Sequence, residues 1–227
     1  TYNVSLSETN NWDFGLRYLA SGVNLNTYFE FLNKWGFTAS ANFTPQSLDT
    51  RILRGGAAML VPSVSYQNFY VRTDPSKKFF AEFSSELSKS GNNSAKYYSV
   101  QPGIRYTPIN TIKLSANFNY SYNKNDLQYI TTAANGSYPR YILGKLDQRA
   151  IAITLRVDYN ISPEISIQYY GSPFATVGKY TGYKRITDPK ATNYRDRFTE
   201  LKPALNQYTN TYEVSENGNS SIDYKFL

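Results

Sequence analysis

Between Ile112 and Asn123 apolar and polar residues alternate without a break. Ile112, Leu114, Ala116, Phe118, Tyr120 and Tyr122 interleave with Lys113, Ser115, Asn117, Asn119, Ser121 and Asn123. A period of two places one set on each face of a β-strand and excludes a helix for this stretch. The same period runs through Ile151, Ile153, Leu155, Val157, Tyr159 and Ile161, and through Tyr98, Val100, Pro102, Ile104 and Tyr106. Shorter versions occur at Phe37/Ala39/Ala41/Phe43, Phe79/Ala81/Phe83 and Ile165/Ile167/Tyr169. The longest runs reach about 11–12 residues, whereas a soluble strand averages about 5–6 and a tilted membrane-spanning strand needs about 9–11.

Charges decide which face is wet. Glu30, Glu82, Glu86, Arg105, Lys113, Arg156 and Asp158 all fall on the polar faces, in mid-strand. Facing lipid, an Arg or Lys near the midplane costs about 2–4 kcal/mol, so these residues are expected to face a water-filled lumen. The apolar faces end in Tyr or Phe, as interfacial aromatic girdles do. A large soluble antiparallel sheet with one solvated face alternates in the same way and is the rival reading. Strand length and the aromatic endings favour the membrane.

Composition narrows the remaining classes. Tyr 22 and Phe 13 among 227 residues are too aromatic for a disordered chain. The longest apolar run, Ala57-Ala58-Met59-Leu60-Val61, is far short of the roughly 20 residues a membrane helix needs. With no Cys and no His, disulfides, thiol nucleophiles, the usual zinc sites and every His-based triad are excluded.

Turn chemistry gives the order of the strands. Short links fall at Lys34-Trp35-Gly36, Thr73-Asp74-Pro75-Ser76, Pro108-Ile109-Asn110 and Ser162-Pro163. Long links lie between them, at about 45–60, 124–148 and 172–204, with Ser90–Asn93 a brief exception. Asn135-Gly136-Ser137 and Asp188-Pro189 mark the long links as breakers. Short periplasmic turns alternating with long extracellular loops are the outer-membrane pattern. The expected fold is therefore all-β: residues 1–227 as one antiparallel transmembrane outer-membrane β-barrel portion with about 12 strands. Tracing the turns puts Thr1 and Leu227 both on the outer side, which implies an incomplete piece of a barrel of about 14–18 strands.

Chemistry on such a wall is sparse, and the chain reads as non-enzymatic, without catalytic residue, cofactor or metal. Glu82 and Glu86 lie on one strand about 13 Å apart, too far for a glycosidase carboxylate pair. A charge of +7 raises nucleic acid, but the aromatics sit on the face opposite the charges, and a stacking platform needs both together. In the loops, Arg51 and Arg54 follow Asp49, while Asp196 and Arg197 sit with Asp188 and Arg195. Arg51, Arg54, Asp196 and Arg197 are the loop candidates for contact with a plug, a headgroup or a partner. Ion pairing between the loops is their ordinary role.

Several segments in this order resemble a known family. They are Arg51-Ile52-Leu53-Arg54-Gly55-Gly56 with Met59 and Pro62, then the tyrosine-rich hairpin from Asp158 through Ser162-Pro163 to Phe174, then Gly178-Lys179-Tyr180 and Asn193-Tyr194-Arg195-Asp196-Arg197-Phe198. From about Trp12 onward the chain resembles the C-terminal domain of Bacteroidota outer-membrane proteins whose N-terminal part is a family-9 carbohydrate-binding-like module. The resemblance implies a β-barrel domain of unknown function with no established catalytic residues. The expected function is a non-catalytic component of a larger envelope assembly, with any carbohydrate handling left to a module outside this chain. The expected partners are outer-membrane lipid and other outer-membrane or periplasmic proteins. A porin-like uptake channel, its selectivity set by wall charges such as Glu82, Arg105 and Lys113, is the alternative.

Overall fold

In the computed structural model the alternating segments become long antiparallel strands. The structure describes residues 1–135, 138–215 and 222–226. In chain order the strands are β1 (Tyr2–Trp12), β2 (Tyr18–Glu30), β3 (Gly36–Thr44), β4 (Ser47–Asp49), β5 (Met59–Val61), β6 (Val64–Arg72), β7 (Phe79–Ser90) and β8 (Ala95–Ile109). There follow β9 (Ile112–Asn135), β10 (Tyr138–Asn160), β11 (Ser166–Gly171), β12 (Phe174–Ile186), β13 (Phe198–Glu200), β14 (Ala204–Asn206), β15 (Thr211–Val214) and β16 (Tyr224–Phe226). Eleven of these form one sheet in the order β1-β2-β3-β6-β7-β8-β9-β10-β12-β13, with β11 also on β10. β11 and β12 lie end to end along β10, against residues 155–160 and 142–152 respectively. The sheet is open: among the described residues no ladder joins β1 to β12 or β13.

Register fixes two chemically opposite faces, because directly paired residues share a face. One row runs Leu25–Ala41, the next Phe69–Ser85–Val100–Tyr120–Ile151–Ala175. Leu6, Phe83, Ile104, Leu155 and Ile167 share this apolar face, and among the described residues nothing covers it: Leu6 is 72% exposed, Ile153 41% and Ile167 57%. The opposite face carries Asn24, Asn42, Tyr70, Glu82, Gln101 and Asn117. It is knit by side-chain hydrogen bonds such as Asn42 to Asn24 and Tyr70 Oη to Glu82 Oε2 at 2.7 Å.

The hydrophobic core sits off the main sheet, at the end where β9 and β10 outrun their neighbours. On one side of this extension Leu53 and Met59 pack on Leu127 and Leu143. Ala133, Ile142 and Tyr183 pack with Val214, Tyr224 and Phe226 of the small β14-β15-β16 sheet.

Three expectations change. The 124–148 link is mostly strand, since β9 and β10 are 24 and 23 residues long. The breakers Gly136 and Ser137 lie outside the described residues. The 172–204 link contains β12 and β13, and the 45–60 link holds the β4–β5 pair. The expected outer position of Thr1 also changes: two strands precede the Phe31–Trp35 turn, because β1 and β2 take 11 and 13 residues. Asp13 ends β1 by accepting the Gly15 and Arg17 amides at 3.0 and 2.9 Å. Thr1 therefore lies at the short-turn end, its ammonium on the Glu30 carbonyl at 2.9 Å. Leu227 lies outside the described residues. The four expected short turns all fall at that same end.

Candidate functional site

The polar face is the first candidate. All seven charged residues singled out in the sequence, Glu30, Glu82, Glu86, Arg105, Lys113, Arg156 and Asp158, lie on it by register. They do not converge on one point. Glu30 is held by Arg72, whose Nη2 lies 2.8 Å from Glu30 Oε2, and by the Tyr28 hydroxyl at 3.0 Å. Arg72 begins on β6 and must cross β3 to reach β2. It can do so because Gly36 stands between them: a Cβ there would lie 2.7 Å from Arg72 Nε. Glu82 accepts from Tyr70, and Glu86 accepts from Ser99 Oγ at 3.4 Å. The two carboxylates thus have separate partners, as the strand spacing required. Arg156 Nε grips both Asp158 oxygens at 2.9 and 3.1 Å, while Lys113 is the cross-strand neighbour of Asp158. Arg105 lies 4.5 Å over the Phe80 ring and donates to the Pro75 carbonyl at 2.9 Å.

Beside Glu82 a cleft of about 440 Å³ is lined by Tyr70, Glu82, Ser84, Gln101, Asn117 and Thr154. Its walls offer hydroxyl and amide groups and one carboxylate, with Phe118 and Ala152 as apolar neighbours.

The second candidate lies in the cap over the long-link end. Arg197 is 1% exposed, and its guanidinium ties three carbonyls together: Ala191 at 2.8 Å, Leu60 at 3.0 Å and Thr192 at 3.1 Å. The Leu60 amide in turn donates to the Pro189 carbonyl at 2.8 Å. The 45–60 and 187–197 segments are therefore stapled together by an arginine on backbone oxygens. The expected ion pairs give way to this arrangement, because a buried fork of five N–H groups satisfies carbonyls that no carboxylate could. Burial pushes the Arg197 pKa down, and the neighbouring Tyr194 pulls it partly back.

The other loop residues take smaller roles. Asp49 Oδ1 accepts the Arg51 amide at 2.7 Å and the Ile52 amide at 3.1 Å, closing a turn. Arg54 has a φ of 47° and sets its guanidinium 4.7 Å from the Tyr129 ring. Gly56 follows it where a Cβ would lie 2.6 Å from the Tyr141 ring, so the Arg-Gly-Gly turn can press Leu53 and Met59 onto β9 and β10. Asp196 is exposed, with its carbonyl accepting from Thr187 Oγ1 at 3.5 Å.

Next to Arg197 is a pocket of about 660 Å³ lined by Asp126, Lys184, Tyr194, Arg195, Phe198 and Glu200, among others. Lys184 is buried, with its Nζ 4.4 Å over the Phe198 ring. Burial pushes its pKa down, against the pull of Asp126 and Glu200. Burial, then the Asp126 charge, pushes the Tyr194 phenol up to about 12. Among the described residues, Asp126 Oδ1 and Tyr194 Oη are buried without a hydrogen-bond partner. Sequence reading missed Arg72, Asp126, Lys184 and Tyr194. Of these, Tyr194 appears in the sequence only within the Asn193–Phe198 segment that resembles the family.

Over residues 2–217 the chain matches a family described as a domain of unknown function, DUF5916. No curated protein and no solved structure matches it.

Proposed function

We propose that this chain, which belongs to the DUF5916 family, forms part of the wall of a β-barrel in a bacterial outer membrane and acts as a non-catalytic component of a larger envelope assembly. One observation carries the reading. A sheet of long strands exposes many large apolar side chains on one face, from Leu6 on β1 to Ile167 on β11. Monomeric soluble proteins rarely expose contiguous apolar patches beyond a few hundred Å². Dimensions support it. From Phe79 to Lys89, β7 runs about 33 Å, or about 25 Å at a tilt near 40°, the height of an outer-membrane apolar band. Aromatic pairs lie on this face, Phe29 with Phe37 at 6.4 Å toward the short-turn end and Tyr98 with Tyr122 at 5.2 Å toward the other. The open edges support the assembly part. Unpaired backbone in lipid costs several kcal/mol per group, so β1 and β11–β12 need further strands beside them.

Adjacent residues on β10 test the membrane reading. Lysine at Ile153 is expected to cost about 2–4 kcal/mol of folding in lipid, and lysine at Thr154, on the polar face, much less. A soluble sheet reverses the order, since I153K would replace an exposed apolar residue by a soluble one. Release of the wild-type protein by alkaline extraction without detergent would also end the reading. Gentle-detergent purification tests the assembly: stoichiometric companion chains are expected, and a lone chain would remove that part. A second reading, an uptake pore for small polar solutes, is favoured by the polar cleft beside Glu82. Liposome swelling with small sugars separates the two.

A further inference from the structure

We propose that the rim of the apolar face at the long-link end is a binding site for a phosphate-bearing membrane lipid. Register brings Lys89 of β7, Lys96 of β8, Lys124 of β9 and Lys179 of β12 into one row, with Asp147 of β10 between the last two. The row lies on the apolar face, because two residues further in the same ladders align Leu87, Tyr98, Tyr122, Arg149 and Val177. Four ammonium groups and one carboxylate thus occupy a single register row across five strands, one step beyond the Tyr98–Tyr122 pair. Asp147 is partly engaged, accepting from Tyr122 Oη at 3.0 Å. Lys96 and Arg149 each lie 5.9 Å over a rim tyrosine, Tyr98 and Tyr122.

Below this row the surface is grooved. Tyr120, Arg149, Ile151, Ala175 and Val177 line an almost wholly apolar groove of about 240 Å³, with Arg149 and Val177 in the register row at its lysine end. An apolar groove with a cation at its mouth under a bank of lysines matches an acyl chain ending in an anionic headgroup. Phosphate satisfies it best, since several ammonium groups and one guanidinium can share its oxygens. The site rests on the reading that this face meets lipid.

The test uses full-length protein in phosphatidylcholine vesicles with phosphatidic acid as the probe, and lipid retention read by native mass spectrometry. The triple variant K89Q/K96Q/K124Q is expected to bind phosphatidic acid about a hundredfold more weakly than wild type. The matched control K34Q/K77Q/K78Q, at the short-turn end, is expected to bind as wild type, and K89R/K96R/K124R to retain binding. Millimolar inorganic phosphate is expected not to displace the lipid. Equal loss in the triple variant and the control would overturn the site as a general charge effect. Displacement by inorganic phosphate would overturn it as an ion site without lipid. An alkali-resistant, membrane-embedded wild type with no preference for phosphatidic acid overturns the site alone. A wild type released by alkali overturns the membrane reading and the site together.

Discussion

Replacing Arg197 by alanine removes three donors at once from carbonyls that have no other arginine to turn to. Each orphaned buried acceptor costs about 1–3 kcal/mol if it stays dry. Water entering the vacated space recovers part of this, as does relief from burying a charge whose pKa is already pushed down. A net loss near 1 kcal/mol per bond gives about 3 kcal/mol in all, or about a hundredfold in a local opening equilibrium. The loss is expected in the cap and not in the sheet, because all three acceptors belong to the 45–60 and 187–197 segments. Hydrogen exchange at the Leu60 amide reads it directly, since that amide is protected by the Pro189 carbonyl on the other segment. R197A should speed this exchange about a hundredfold while leaving β7 and β8 amides unchanged. R197K should fall between, as a point charge reaches fewer carbonyls than a planar fork. Leu60 exchange within threefold of wild type in R197A would refute the staple.

Two further outcomes follow from the geometry. G36A should push Arg72 off Glu30 and cost about 1–2 kcal/mol in denaturant unfolding, yet be neutral within about 0.5 kcal/mol when Arg72 is already alanine. The phenol of Tyr194 titrates near 10 when unfolded and is pushed up to about 12 in the fold. The folded cap therefore holds the proton more tightly, and its stability falls as pH rises from about 10 to 12. Y194F should lose this alkaline component, measured as the difference in cap exchange between variant and wild type so that Lys184 cancels.

Much of the sheet was legible because period two survives wherever its two faces differ in polarity. Ile112 to Tyr122 and Ile151 to Tyr159 follow that rule, and parity alone placed Glu30, Lys113 and Asp158 on one face. Legibility fails where both faces are packed. In the β10 extension Ile142 packs with the small sheet and its neighbour Leu143 with the Arg-Gly-Gly turn. Register shifts between 142 and 146 break the alternation there as well. The strand then reads as a loop. Arg72 was missed as the partner of Glu30 because their meeting depends on cross-strand register and on the space left by Gly36. The Arg197 staple was missed because its acceptors are backbone carbonyls, which have no sequence signature.

Most ladders in the main sheet join strands that are neighbours in the chain, the β3–β6 and β10–β12 pairs stepping only over short local segments. Each hairpin can close on residues already next to it, with no distant partner to await. Closing a small loop costs little chain entropy, and contacts between near neighbours form fast. Assembly can therefore run along the polypeptide one hairpin after another, each new strand satisfying the edge left by the last. The β9–β10 pair, the longest of these hairpins, has the most backbone bonds to gain in a single step. It is the natural place for such a process to begin.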